Sequence, residues 1–352
     1  MNILFVNSTR KWGGVKTWCL DMAESLLRQG HKTWIVGRPG AFVEKATHLG
    51  IPAAAHSFGF DLNPLSIIFF LKYLSKHKID VLVCNISKDL RTAGVAAKIL
   101  GIPVVQHLGA PHDVVNRFKT RATQRVIGAH LIACSNFVLK SLTKSVPLFN
   151  DYDFTAIFPG TRPNPLSPSR NHSPRTIIAT SQLNRDKGHS HLLEALAGLK
   201  HKGYEFKCII VGTGKDEQAL KELCQSLGLH DEIEWTGFVT DVTAELERAD
   251  IFVLPTLCEP LGIALEEAMA NGLVPVARNI GGPPEIWHPD MKELLVEPQS
   301  NSAGFEKALA RLLDLPDEEL LAMKQAVHAH AVTTFSLDTQ AQKFLNWLET
   351  FT

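Results

Sequence analysis

PTLCEPLGIALEEAMANGLVPVARNIGGPPEI, residues 255–286, decides the reading of this chain. DIFVLP (250–255) leads into it as a short apolar run, which predicts a buried strand. Pro260 and Gly262 interrupt regular structure. Residues 262–271 then predict a helix closed by Gly272. A second apolar strand at 274–277 and a Gly-Gly-Pro-Pro turn complete the unit. A strand that ends on a helix start is where α/β folds place ligands. The amides of Leu261, Gly262, Ile263 and Ala264 fall in the first helical turn, where no intrahelical acceptor exists, and so suit an anion. Glu259 precedes that turn and Glu267 follows eight residues on. A carboxylate repels a phosphate but accepts hydrogen bonds from hydroxyls. A ligand with a central diphosphate and hydroxyls on both sides, such as a nucleotide-sugar, would use all of these groups. On these residues alone the other reading stays open: acidic side chains placed to suit the helix dipole.

The run E-P-L-G-I-A-L-E-E-A-M-A-N-G-L-V-P-V-A, followed by G-G-P-P-E-I, resembles the E-x7-E signature of family-4 retaining glycosyltransferases with the GT-B fold. The similarity runs unbroken from about residue 176 to 286 and is weak elsewhere. It implies two Rossmann-like doubly wound domains facing a cleft, with a C-terminal helix crossing back to the N-terminal domain. It implies that Glu259 contacts the transferred sugar, that Glu267 binds the ribose, and that the loop amides hold the diphosphate. Retention of anomeric configuration, front-face attack and independence of metal follow from the same resemblance.

The bulk composition fits this expectation. A chain of 352 residues is comfortable for two cores, and 45% hydrophobic with 20% charged residues is ordinary for a globular protein. Zero net charge argues against a nucleic-acid partner. Six scattered cysteines without a C-x-x-C read as reduced thiols in a cytosolic protein. The first residues, MNILFVNSTRKW, lack the features of a signal peptide. The most apolar stretch, LSIIFFLKYL (65–74), is too short to span a bilayer and reads as a core helix.

Taken in order, NILFVN (2–7) predicts a buried parallel strand, STRKWGGV (8–15) a loop containing Gly14, and 16–29 a helix. Strands and helices then alternate to about residue 158, which predicts a parallel doubly wound sheet. PGTRPNPLSPSRNHSPR (159–175) breaks the rhythm and reads as an inter-domain linker. The alternation restarts at 176. The expected domains are an acceptor domain at 1–165, a nucleotide-sugar donor domain at 174–333, and a C-terminal helix at 334–352 that packs on the first.

Stabilising a leaving diphosphate requires a metal or fixed positive groups. Asp151-Tyr152-Asp153 has a metal-site spelling but lies far from the central stretch, so no metal is expected there. SQLNRDKG (181–188) is the better candidate, since it resembles the family's phosphate loop with Lys187 and Gly188 in register. Gln182 stands where that family has an arginine; either Arg185 takes its role or one phosphate contact is missing. Gly212 and Gly214 bring backbone near the nucleotide, with a simple turn as the alternative. Phe238 and Val239 follow a strand where the base is expected, with Phe238 as a core residue the alternative. The family's histidine position aligns with Gly109. His107 is the candidate for its role, with a packing histidine as the alternative, and His112 lies in the following loop.

The expected function is sugar transfer from a UDP-sugar or GDP-sugar to a glycan or lipid-linked acceptor. The expected setting is cell-envelope polysaccharide synthesis, in the cytoplasm or at the inner face of the membrane through a peripheral contact. No cofactor beyond the donor is expected, and the chain is taken as a monomer or homodimer. Other readings are a catalytically weak nucleotide-sugar-binding partner subunit, or a phosphorylase-like or epimerase-like enzyme. No segment resembles the lysine site for pyridoxal phosphate that a phosphorylase needs.

Overall fold

The computed structural model describes every residue except Lys11, Ser169 and Thr240. Lys11 of the expected N-terminal loop and Ser169 of the expected linker therefore lie outside the described residues. The chain forms two units, one of residues 1–159 with 337–352 and one of residues 160–336.

In the first unit, β1 (Asn2–Asn7), β2 (Lys32–Gly37), β3 (Ala53–Ala55), β4 (Val81–Cys84), β5 (Val104–Leu108), β6 (His130–Ala133) and β7 (Phe154–Ala156) form one sheet. The order is β3-β2-β1-β4-β5-β6-β7 and every pairing is parallel. Ile3, Leu4, Phe5 and Val6 are buried in succession, as a strand covered on both faces requires. Strand order reverses between β1 and β4, which places the ligand crevice of this unit at their C-terminal ends. The stretch that is most apolar in sequence lies in the helix Pro64–His77, started by Pro64 and capped by Asn63, whose Oδ1 accepts the Leu65 N–H at 3.0 Å. The last helix, Leu337–Leu348, packs on the helix Gly14–Arg28 of this unit. Phe344 meets Trp18 and Phe5, and Ser25 Oγ donates to Asp338 at 2.6 Å.

The second unit carries β8 (Thr176–Thr180), β9 (Lys207–Val211), β10 (Ile233–Gly237), β11 (Ile251–Leu254), β12 (Val274–Arg278) and β13 (Leu295–Val296). Their order is β10-β9-β8-β11-β12-β13, again parallel throughout, with the reversal between β8 and β11. The loops 181–188 and 255–262 leave the sheet at that point.

The structure draws the domain boundaries differently from the sequence. Residues 160–175, expected as a linker, are pinned to the second unit. Asn164 N–H donates to the Ala270 carbonyl at 3.0 Å. The buried Asp250 carboxylate accepts from His172 N–H, Thr176 N–H and Lys324 Nζ at 3.1, 3.0 and 2.7 Å. Prolines prevent a helix or strand here, but the segment still finds donors and acceptors elsewhere in the second unit. The first unit accordingly ends at residue 159, not 165, and the second runs from 160 to 336, not 174 to 333. The returning segment begins at 337, not 334.

Candidate active site

In the second unit the two loops at the strand reversal close on each other. Lys187 ends a short 3-10 turn, Arg185–Lys187, and its Nζ lies 3.2 Å from Glu259 Oε2. Glu259 is only 13% exposed at this pair, and Lys187 is similarly enclosed. One of the three ammonium protons is taken by the carboxylate, which leaves two for a ligand. The loops are also tied through backbone, since Leu257 N–H donates to the Asp186 carbonyl at 2.8 Å. Gly188 has φ +70°, and a Cβ there would lie 2.2 Å from the Pro255 carbonyl oxygen. Only glycine lets Lys187 reach the second loop this closely.

The helix Ile263–Ala270 starts directly at this contact, with Gly262 as its N-cap. Its hydrogen-bond ladder begins where Glu266 N–H donates to the Gly262 carbonyl at 3.0 Å. The N–H groups of Leu261, Gly262, Ile263 and Ala264 precede that ladder. The helix carries no side-chain cap. Gly282 N–H donates to the Glu259 carbonyl at 3.0 Å, so the glycine pair of the 281–284 turn braces the loop from behind.

Glu266 and Glu267 are adjacent but differ in environment. Glu267 is half-buried and engaged with a neighbouring group. Glu266 is 0% exposed and neither of its oxygens has a partner. Burial, reinforced by the Glu267 charge, pushes its carboxyl well above the usual range. Of the two, Glu267 alone is partly accessible.

Gly212 and Gly214 lie where the 181–183 backbone crosses the end of β9. A Cβ at either would stand about 2 Å from the carbonyl oxygen of Ser181 or Leu183. Phe238 is 74% exposed, so the alternative of a core phenylalanine is excluded; Val239 beside it is half-buried. The Arg185 side chain is exposed, and its backbone N–H is held by Asp216 Oδ2 at 2.7 Å.

In the first unit, Gly14 opens the helix Gly14–Arg28 at the end of β1. His107 sits within β5, where its ring stacks on Trp18 at 3.8 Å between centroids. It is 2% exposed, neither nitrogen has a partner, and burial lowers it to about 3. This histidine is a neutral packing ring in the structure. His112, in the loop after β5, is exposed, and Gly109 is held there by Asp113, whose Oδ2 accepts its N–H at 2.7 Å. Asp153 is engaged by Trp347 Nε1 at 3.0 Å.

Two supporting residues escaped sequence reading. Arg278, buried at the end of β12, donates to the Pro255 carbonyl at 3.3 Å and lies 2.8 Å from His191 Nδ1. His189 lies 3.3 Å from Ser181 Oγ and is lowered to about 4 by burial, with Lys187 adding to the effect. Arg278 has no local signal, because its partners are distant in sequence.

Two parallel Rossmann-like sheets with a ligand-ready switch point define the GT-B architecture of nucleotide-sugar-dependent glycosyltransferases. The model of the glycosyl transferases group 1 family matches residues 164–329, and that of glycosyltransferase family 4 matches residues 12–150. The chain belongs to this glycosyltransferase family. It is 30% identical over 173 residues to the amylovoran biosynthesis glycosyltransferase AmsK of Erwinia amylovora, covering 47% of this chain and 42% of that protein. The chain spans 22% to 41% of the length of several curated relatives that it matches. Among solved structures, a glycosyltransferase from Rickettsia africae superposes with TM-score 0.84 at 22% identity, covering 99% of this chain and 98% of that one. Anabaena HepE in complex with UDP and glucose superposes with TM-score 0.76 at 20% identity over the whole of both chains. Among the described residues, no helix is long and apolar enough to cross a membrane.

Proposed function

We propose that this chain is a retaining, metal-independent glycosyltransferase that moves a sugar from a nucleoside diphosphate sugar to a glycan or lipid-linked acceptor in polysaccharide synthesis. The observation that carries the reading is the meeting of Lys187, Glu259 and the uncapped helix start at 261–264. Lys187 and the amides offer positive charge to a diphosphate, and Glu259 offers an acceptor to sugar hydroxyls within reach of the same ammonium. Glu267, one helical turn beyond, is the group for the ribose hydroxyls, and the exposed Phe238 is the platform for the base.

In this reaction the bond from the anomeric carbon to the diphosphate oxygen breaks and the bond to the acceptor oxygen forms on the same face. The acceptor proton passes to the departing diphosphate. The charge that develops on that oxygen is met by Lys187 and the helix start, fixed in place before the reaction. The UDP complex of a structural relative and the polysaccharide role of AmsK support this substrate class.

A thermal-shift panel of nucleoside diphosphates and their sugars, with and without magnesium, tests the proposal. A ligand at about 100 times its Kd stabilises a fold by roughly 2.7 kcal/mol, which gives a clear shift. A magnesium-independent shift with UDP or GDP compounds, lost in Glu267→Ala, is the expected result. A donor that binds without turnover or slow hydrolysis would instead make the chain a nucleotide-sugar-binding partner subunit. No shift with any of them would overturn the assignment.

A further inference from the structure

Beside the ends of β1 and β2 the first unit holds a pocket of about 460 Å³. Arg10, Trp12, Lys16, Arg38 and Phe42 line it, and none of the described residues that line it is a carboxylate. Lys16 is 6% exposed, yet its ammonium has no hydrogen bond or ion pair with any described residue. It lies 5.5 Å from the centre of the Phe42 ring. Arg38 is clamped by neutral acceptors, with Nε 2.7 Å from the Ser8 carbonyl and Nη1 2.8 Å from the Ser57 carbonyl. Its charge therefore remains uncompensated. Trp12 stands at the rim, with the Lys45 ammonium 5.5 Å from its ring.

An ammonium beside a guanidinium, with no counter-charge for either, is unfavourable. Burial foremost lowers the Lys16 ammonium; Cys19 partly offsets this and the Arg38 charge adds to it. Three cationic side chains suit a phosphoryl group better than a single carboxylate. The indole at the rim supplies the flat apolar face on which a sugar ring or an alkyl chain can rest.

We propose that this pocket binds a phosphate-bearing ligand, and that the ligand is the acceptor of the transfer reaction. The second clause rests on the glycosyltransferase reading; the phosphate site itself does not. The phosphate is carried either by a soluble sugar or by a lipid, and the same chemistry recognises both.

Calorimetric titration of the full chain with glucose, glucose 1-phosphate and geranyl phosphate tests this. The expected result is binding of a phosphate monoester and none of glucose. Arg10→Gln and Lys16→Met should each weaken that binding roughly tenfold or more, the size of a charge-assisted hydrogen bond lost. Lys187→Met, in the other unit, should leave it within about twofold while weakening nucleoside diphosphates. Tighter binding of geranyl phosphate places the phosphate on a lipid, and tighter binding of glucose 1-phosphate places it on a soluble sugar. Arg10 is exposed, so its variant reports even if the Lys16 variant fails to fold. Glucose binding as well as its phosphate would overturn the proposal. So would Arg10→Gln binding as the wild type does, or the phosphates being lost in Lys187→Met instead.

Discussion

Replacing Glu266 by glutamine removes an ionisable group from the interior while keeping its shape. In the folded protein both Glu266 oxygens are buried without partners, and burial holds the carboxyl protonated well above 4.5. In the unfolded chain it ionises near that ordinary value. A carboxyl raised on folding contributes stability that is fully present below pH 4.5 and is lost as pH climbs towards its folded value. The slope over that window is about 1.4 kcal/mol per pH unit. Glutamine does not titrate, so the variant lacks this loss. The stability difference should be small near pH 4.5 and should grow in favour of Glu266→Gln by up to about 1.4 kcal/mol per pH unit above it. Urea unfolding of both proteins at a series of pH values measures it, and subtracting the curves cancels all other titrating groups. Donor affinity supplies the second reading: Glu266→Gln should retain it, and Glu267→Gln should not. A stability difference that stays constant with pH would refute the reasoning. It would mean that Glu266 is ionised and compensated in the folded state.

Gly188→Ala should cost about 3 kcal/mol in urea unfolding, combining left-handed strain with a collision against the Pro255 carbonyl; a loss below about 0.5 kcal/mol would contradict the close approach of the two loops. Lys187→Met leaves Glu259 without its counter-ion and should destabilise by about 1–2 kcal/mol, a value reduced for the partial exposure of both groups. Its turnover with the identified donor should fall by about 10²-fold or more, and unchanged kcat would remove Lys187 from the chemistry. His107 is lowered on folding to about 3, so its contribution is present above pH 6.5 and lost as pH falls towards 3. His107→Phe preserves the stack on Trp18 and should gain about 2 kcal/mol relative to wild type between pH 7 and pH 5; parallel acid limbs for the two proteins would show that the ring is not buried neutral.

The sequence by itself determined what is local. The apolar run NILFVN became β1 with the expected ends, because a strand buried on both faces has to be apolar throughout. Asn63 and Pro64 favour a helix start through local capping and a fixed φ, and the helix Pro64–His77 begins there. The β/α alternation was legible for the same reason, and with it the two-sheet fold. The turn at Gly262 and the helix after it were legible too, since glycine and proline act on their own dihedrals. Tertiary structure decided everything that depends on two distant segments meeting. Lys187 and Glu259 stand 72 residues apart and pair only because β8 and β11 are neighbours at the strand reversal. Glu266 and Glu267 look alike in the sequence, and the packing of one helix face alone makes one a buried acid and leaves the other open. His107 was a site candidate by position along its strand, but Trp18 from the neighbouring helix covers it. Residues 160–175 read as a linker because they lack periodicity, while their attachment runs through Asp250 and Lys324, far along the chain. The cationic pocket is of the same kind. Arg10, Lys16 and Arg38 form no run in the sequence, and only the parallel placement of β1 beside β2 gathers their charges around one space.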